Sequence, residues 1–153
     1  MGHLTFFVAP LTCMHCGRTA PADVSTGMSN HLSSVFGGEV LRVGDRRDFR
    51  PADFAEAFLV LREPAPGEPT RILHDWVCPY CDGYNWAEVV FADGTLHSIT
   101  AVPFDREAVA RAHYISERIA EYYESVTGQQ LWPNYDGNYR RLIEELLQRA
   151  ADA

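Results

Sequence analysis

The chain predicts an α+β fold in one domain of 153 residues. Residues 1–104 read as an antiparallel, metal-anchored β core, and residues 105–153 as a C-terminal helical pair packed on it. Three observations carry this. All four cysteines fall in two Cys-x-x-Cys turns, Cys13–Cys16 and Cys78–Cys81. Two β-prone runs, Trp86 to Ala92 and Thr95 to Val102, flank Asp93-Gly94, the dipeptide that supplies positive φ at both central positions of a type I′ hairpin. Beyond Asp105 the apolar residues recur at spacings of three and four, the helical period.

Taken in order, Leu4 to Val8 is apolar and aromatic and predicts a strand leading into the first cysteine turn, with Pro10 ending it or marking an edge. Pro21 to Asn30, rich in Ser, Thr, Gly and Asp, reads as loop. Phe36-Gly37-Gly38 punctuates the chain before a short strand at Glu39 to Val43, closed by Gly44-Asp45. Pro51 to Glu63 supports two readings: Pro51 with Asp53 and Glu56 suits a helix start, whereas Ala57 to Leu61 suits a buried strand. The strand, at Glu56 to Arg62, is favoured. The prolines of Pro64 to Pro69 remove donors and fix φ, so this stretch forms the tip joining that strand to Arg71 to Val77, which delivers the second cysteine turn. Asp105 caps a helix from Arg106 in which Val109, Ala112, Ile115, Ile119, Tyr122, Tyr123 and Val126 form one stripe up to Gly128. After an aromatic turn at Trp132 to Gly137, Asn138 caps a second helix with Tyr139, Leu142, Ile143, Leu146, Leu147 and Ala150 on one face. Both stripes read as core.

The cysteine spacing points to one structural zinc held by Cys13, Cys16, Cys78 and Cys81. Zn²⁺ takes four thiolates tetrahedrally, and one Cys-x-x-Cys turn presents two sulfurs to one ion. Gly17, directly after Cys16, supplies the positive φ that turns backbone amides toward sulfur. The second turn departs from this, because Asp82 intervenes before Gly83. The 61 residues between Cys16 and Cys78 are tolerable, since loop closure entropy grows only logarithmically. A rival reading is redox chemistry: Cys78-Pro79-Tyr80-Cys81 resembles the active-site dithiol of glutaredoxins. In that fold the second cysteine lies in a helix, which lowers the thiol pKa, whereas here a strand-like run follows.

Two cysteine turns set between strands, with Gly17, resemble zinc ribbons, in which two β-hairpins each contribute one metal-binding knuckle. The chain is also similar to small bacterial proteins carrying a strand such as Val43-Gly44-Asp45 between two such turns. Some proteins of that kind are immunity partners of toxins.

Charge narrows the function classes. All 13 basic residues are arginine, and against 21 acids they leave a net charge of −8. Nucleic-acid affinity depends on cationic contacts to phosphate, and the one local cluster, Arg42, Arg46, Arg47 and Arg50, is interrupted by Asp45 and Asp48. No apolar run reaches the length of a membrane span, and the start lacks the basic region of a signal peptide. A soluble, cytoplasmic protein is expected. Catalytic constellations are weak: Ser33 and Ser34 lie in no nucleophile elbow, His15 reads as a spacer rather than a further ligand, and adjacent strand residues His74 and Asp75 should face opposite ways. Four cysteines would close a zinc shell and leave no open position for chemistry. The expected function is therefore non-enzymatic: an acidic protein-binding module for a basic protein, such as an immunity or inhibitor protein for a nuclease-type toxin. Trp132, Tyr135, Asp136 and Tyr139 are its candidate anchors. The alternatives are a zinc-ribbon nucleic-acid-binding accessory factor and a thiol oxidoreductase.

Overall fold

The structure, a computed structural model, describes residues 4–32 and 38–152. The turn expected at Phe36-Gly37 and the serines Ser33 and Ser34 lie outside the described residues. In the first half run β1 (Thr5–Val8), β2 (Leu11–Thr12), β3 (Thr19–Ala20), a 3₁₀ turn (Val24–Thr26), β4 (Ser29–Asn30), β5 (Val40–Arg42), α1 (Pro51–Ala57) and β6 (Leu59–Val60). Then follow β7 (Thr70–Val77), β8 (Tyr84–Ala92), β9 (Thr95–Val102), α2 (Arg106–Arg111), β10 (Tyr114–Ile115), α3 (Ile119–Thr127) and α4 (Tyr139–Asp152).

The centre is a five-stranded sheet in the order β6-β10-β7-β8-β9. Its hairpin β8–β9 turns at Asp93 and Gly94, with φ of 51° and 72°, as the dipeptide requires. Strand alternation splits the side chains of β7 and β8 between two cores. Ile72, Trp76, Ala87, Val89 and Phe91 point to one face, where they meet Phe7, Leu41, Phe54 and Phe58 from the amino-terminal layer. Leu73 and Trp86 point to the other, against Ile119, Tyr123, Leu142 and Leu146 of the helices. A sheet covered on both sides is apolar at successive positions, and Val89, Val90 and Phe91 of β8 are all buried. Each large side chain removed from water in this way contributes roughly 1.5–3 kcal/mol.

The α+β class and the antiparallel-rich core stand as expected, with β1–β5 and β7–β10 as parallel pairings within it. Several other expectations need correction. Ser29 and Asn30, expected in loop, pair with β1, because Gly27 adopts φ 68° and returns the chain after the 3₁₀ turn that Asp23 caps. The strand favoured at Glu56 to Arg62 is the end of α1 followed by two-residue β6. The helix start at Pro51 wins because the Asp53 carboxylate accepts the Arg50 amide (2.7 Å) and the helix buries Phe54 and Ala57 on one side. The single helix expected from Arg106 to Val126 is broken. Asp105 does cap it, accepting the Ala108 amide at 2.8 Å, a contact of the kind that contributes about 1 kcal/mol. After Arg111, however, β10 slots between β6 and β7 before α3 begins. Gly128 ends α3 at φ 72°, and Val126, placed on the stripe, is exposed. Asn138 caps α4 by accepting the Arg141 amide at 3.2 Å. Among the described residues no helix is long and apolar enough to cross a membrane.

Candidate metal centre

The first cysteine pair sits where β2 turns back into β3, a two-stranded antiparallel ladder pairing Leu11 with Ala20 and Thr12 with Thr19. The Cys13 amide donates to Arg18 O (2.9 Å) and the Gly17 amide to Cys13 O (3.0 Å). Gly17 takes φ 76°, and the His15 amide points at Cys13 Sγ (3.3 Å). The second pair repeats this plan at the turn between β7 and β8. The Cys78 amide donates to Gly83 O (3.0 Å), the Asp82 amide to Cys78 O (2.9 Å), and the Tyr80 amide to Cys78 Sγ (3.4 Å). Asp82, in Gly17's place, carries the left-handed φ itself at 58°, which Asp tolerates better than most residues.

Gly83 has a different task. A Cβ there would lie 2.6 Å from His15 Cδ2 and 3.1 Å from Cys81 Sγ. The glycine therefore sits one place late because the two turns close on each other at that point. His15 Nε2 donates to Tyr84 O at 2.8 Å, so His15 bridges the two turns. Gly83→Ala should push the His15 ring away and lower metal affinity by about 10–100-fold, the usual cost of disturbing residues that orient ligands. A metal-competition titration measures it, and unchanged affinity would show that the two turns adjust without loss.

The four Sγ atoms all lie within 4.8 Å of one another. The short contacts run between the turns, Cys13–Cys81 at 3.6 Å and Cys16–Cys78 at 3.7 Å. A tetrahedron with metal–sulfur bonds of ~2.3 Å has sulfur edges of ~3.8 Å, so the cluster has the size of one four-thiolate metal site. Cys13 and Cys78 are buried, and Cys16 and Cys81 face outward. Burial alone would raise the Cys13 thiol, but the Cys16 amide, the Asn85 side-chain amide, the His15 amide and the Cys81 thiol outweigh it and bring it down to about 6. At Cys81 the Gly83 amide pulls downward, yet burial and the three neighbouring sulfurs push the thiol up to about 12. Four thiols this close resist ionising together unless a cation shares their charge.

Asn85 is the part of the site that sequence reasoning missed. Buried at the start of β8, it donates to Cys13 Sγ (3.4 Å) and Gly83 O (3.1 Å) and accepts the Met14 amide (3.1 Å). One side chain thus ties both turns together, and nothing in the spacing of the sequence announces it. Above the turns, the Arg18 guanidinium stacks 3.7 Å over the Tyr80 ring. Because β8 rather than a helix follows Cys81, no helix amino terminus faces the Cys78-Pro79-Tyr80-Cys81 dithiol from its own chain segment.

The other sequence candidates lie elsewhere. His74 and Asp75 point to opposite faces as expected, His74 against Phe7 and Phe58, although His74 Nδ1 reaches back to donate to the Asp75 backbone carbonyl (2.7 Å) and lies 3.3 Å from Oδ1. His74 is fully buried. Asp75 sits in a network with Ser116 Oγ (2.6 Å) and Arg118 Nε (2.7 Å). Trp132 is 61% exposed and meets the half-buried Tyr135 ring edge-on at 5.8 Å. Asp136 is exposed and accepts the Asn138 amide. Tyr139 instead turns into the fold, its hydroxyl donating to Val60 O at 2.6 Å.

No protein-family model matches this chain, nor does any curated protein or solved structure.

Proposed function

We propose that the chain is an acidic protein-binding module built around one structural zinc, and that its partner is a basic protein, as a nuclease-type toxin is to its immunity protein. Zinc is favoured among metals because a tetrahedral set of four thiolates suits Zn²⁺ or iron–sulfur chemistry, and the residues fill the shell without leaving a position for substrate. In this reading the paired hairpins act as the two knuckles of a zinc ribbon and stiffen the end of the sheet.

The observation that carries the binding role is the exposed Trp132, edge-on to Tyr135 and next to exposed Asp136. Tryptophan and tyrosine dominate interface energetics because each places a large rigid area at small entropic cost, and the acid complements a cationic partner. Trp132→Ala should weaken partner binding by roughly 2 kcal/mol or more, while changing folding stability by less than about 0.5 kcal/mol, as exposed positions do. Calorimetry with the purified partner and a urea titration give the two numbers. A large stability loss with unchanged binding would remove the anchor.

The nucleic-acid alternative is weakened by how the arginine cluster is spent. Arg47 is paired with Glu39 and Arg50 lies 3.7 Å from Asp53. Against a net charge of −8, binding to generic duplex or single strand should be negligible at physiological salt. Micromolar binding with a steep inverse salt dependence in a fluorescence-anisotropy titration would reverse the order of the two readings.

A further inference from the structure

A groove of about 520 Å³ lies between α2, α4 and the two residues that follow β6. That volume falls within the ~300–1,000 Å³ typical of small-ligand sites. Its floor is apolar, made by Leu61, Val109, Ile143 and Leu147. Its rim carries three arginines from three separate segments: Arg62, Arg106 and Arg140.

The single acid among the lining residues is Glu144, and Arg106 engages both its oxygens (2.7 and 3.3 Å). Arg62 pairs with Glu68 outside the groove and donates to Arg111 O. Arg140 differs from both. Its Nη2 donates to Val60 O (3.1 Å) and Leu61 O (2.9 Å), and it has no carboxylate partner among the described residues. Two backbone carbonyls and the Tyr139 ring, 5.7 Å from its guanidinium carbon, thus hold it at the groove while no carboxylate neutralises its charge. Counting Glu144, the rim is cationic on a chain whose net charge is −8.

We infer that this groove binds an amphipathic organic anion, an aliphatic monocarboxylate whose head meets Arg140 and Arg106 and whose tail lies on the Leu61, Val109, Ile143 and Leu147 floor. The argument is charge complementarity against the global field. The protein as a whole repels anions, so a preference for a carboxylate over a neutral analogue of the same length requires local donors, and the arginines supply them. Guanidinium groups suit a carboxylate because they offer paired donors in one plane.

The full metal-loaded chain, labelled with ¹⁵N, should be titrated with octanoate, 1-octanol, octylammonium and decanoate. Octanoate is expected to shift the amide signals of Leu61, Val109 and Ile143, and to bind at least fivefold more tightly than octanol, with octylammonium weakest. Decanoate should bind about fifteenfold more tightly than octanoate, since each buried methylene contributes ~0.8 kcal/mol. Ala110→Phe fills the groove from an exposed lining position and should abolish these shifts. The pair Arg106→Gln and Arg140→Gln should erase the difference between octanoate and octanol. Equal binding of the three eight-carbon probes, or octanoate binding that survives Ala110→Phe, overturns the proposal. Self-association relieved by Ala110→Phe would give the groove to a second copy of the chain and overturn it equally.

Discussion

Cys78→Ser should release the metal and cost roughly 3 kcal/mol of folding stability or more, about a quarter of the ~10–16 kcal/mol with which structural zinc sites hold their small modules. Cys78 has no solvent exposure, its sulfur accepts the Tyr80 amide, and Cys16 Sγ stands 3.7 Å away. Serine is harder, shorter and not ionised at neutral pH, so it ligates poorly even where its hydroxyl still accepts that amide. The loss should extend beyond the turn, because Trp76 two residues earlier is fully buried in the sheet. Elemental analysis and urea denaturation, each with and without a chelator, provide the check. Chelator should destabilise the wild type and leave Cys78→Ser unchanged. A wild-type protein that purifies without metal, with its fold intact and four alkylatable thiols, would refute the structural role of the cluster.

Arg118→Met is expected to cost up to about 3 kcal/mol, since it leaves the buried Asp75 carboxylate without its half-buried cationic partner. Asp75 is 2% exposed and takes hydrogen bonds from Ser116 Oγ (2.6 Å) and Arg118 Nε (2.7 Å). Arg118 also donates to Ser29 O, so one guanidinium joins β4, β7 and the start of α3. Burial opposes ionisation of Asp75, but His74 and then Arg118 hold its carboxyl well below the usual carboxylate range. A folded-state value below the unfolded one contributes stability that is fully present above pH ~4 and lost as pH falls through that range. The gap between wild type and Arg118→Met should therefore be widest near neutrality and narrow on acidification. Taking the difference between the two proteins cancels thiol protonation, since the cysteine cluster is common to both. A gap that does not change with pH would assign the loss to packing of the arginine stem.

How much was legible follows from how local each signal is. The hairpin at Asp93-Gly94 and the cap at Asp105 depend on a few adjacent residues, and both stand where the sequence puts them. The cysteine turns are equally local, and they converge as their spacing predicts, with all four sulfurs within 4.8 Å of one another. What failed was periodicity near strands buried on both faces. His113, Tyr114, Ile115 and Ser116 are all buried, so β10 shows no alternation, and Ala112, Ile115 and Ile119 keep helical spacing across a segment that is not helical. At Ala57 to Leu61 the error ran the other way, because the last buried turn of α1 and a short strand merge into one apolar run. Asn85 and Gly83 could not be read at all, since their roles exist only once two turns distant in sequence touch.

The position of β10 also bears on how the molecule is made. Tyr114 and Ile115 are the only described residues joining β6 to the rest of the sheet, antiparallel on one side and parallel on the other. A nascent chain emerging from the ribosome would thus have both cysteine turns available, and the β7–β8–β9 ladder formed, while α1 and β6 still lacked their sheet neighbour. The cysteine turns can meet early in synthesis, and the amino-terminal layer can pack on β7 and β8, but β6 waits for residue 115 before it can pair. Arrest between the two steps would leave a metal-loaded intermediate with the edge of β7 open, the kind of unpaired edge that invites aggregation.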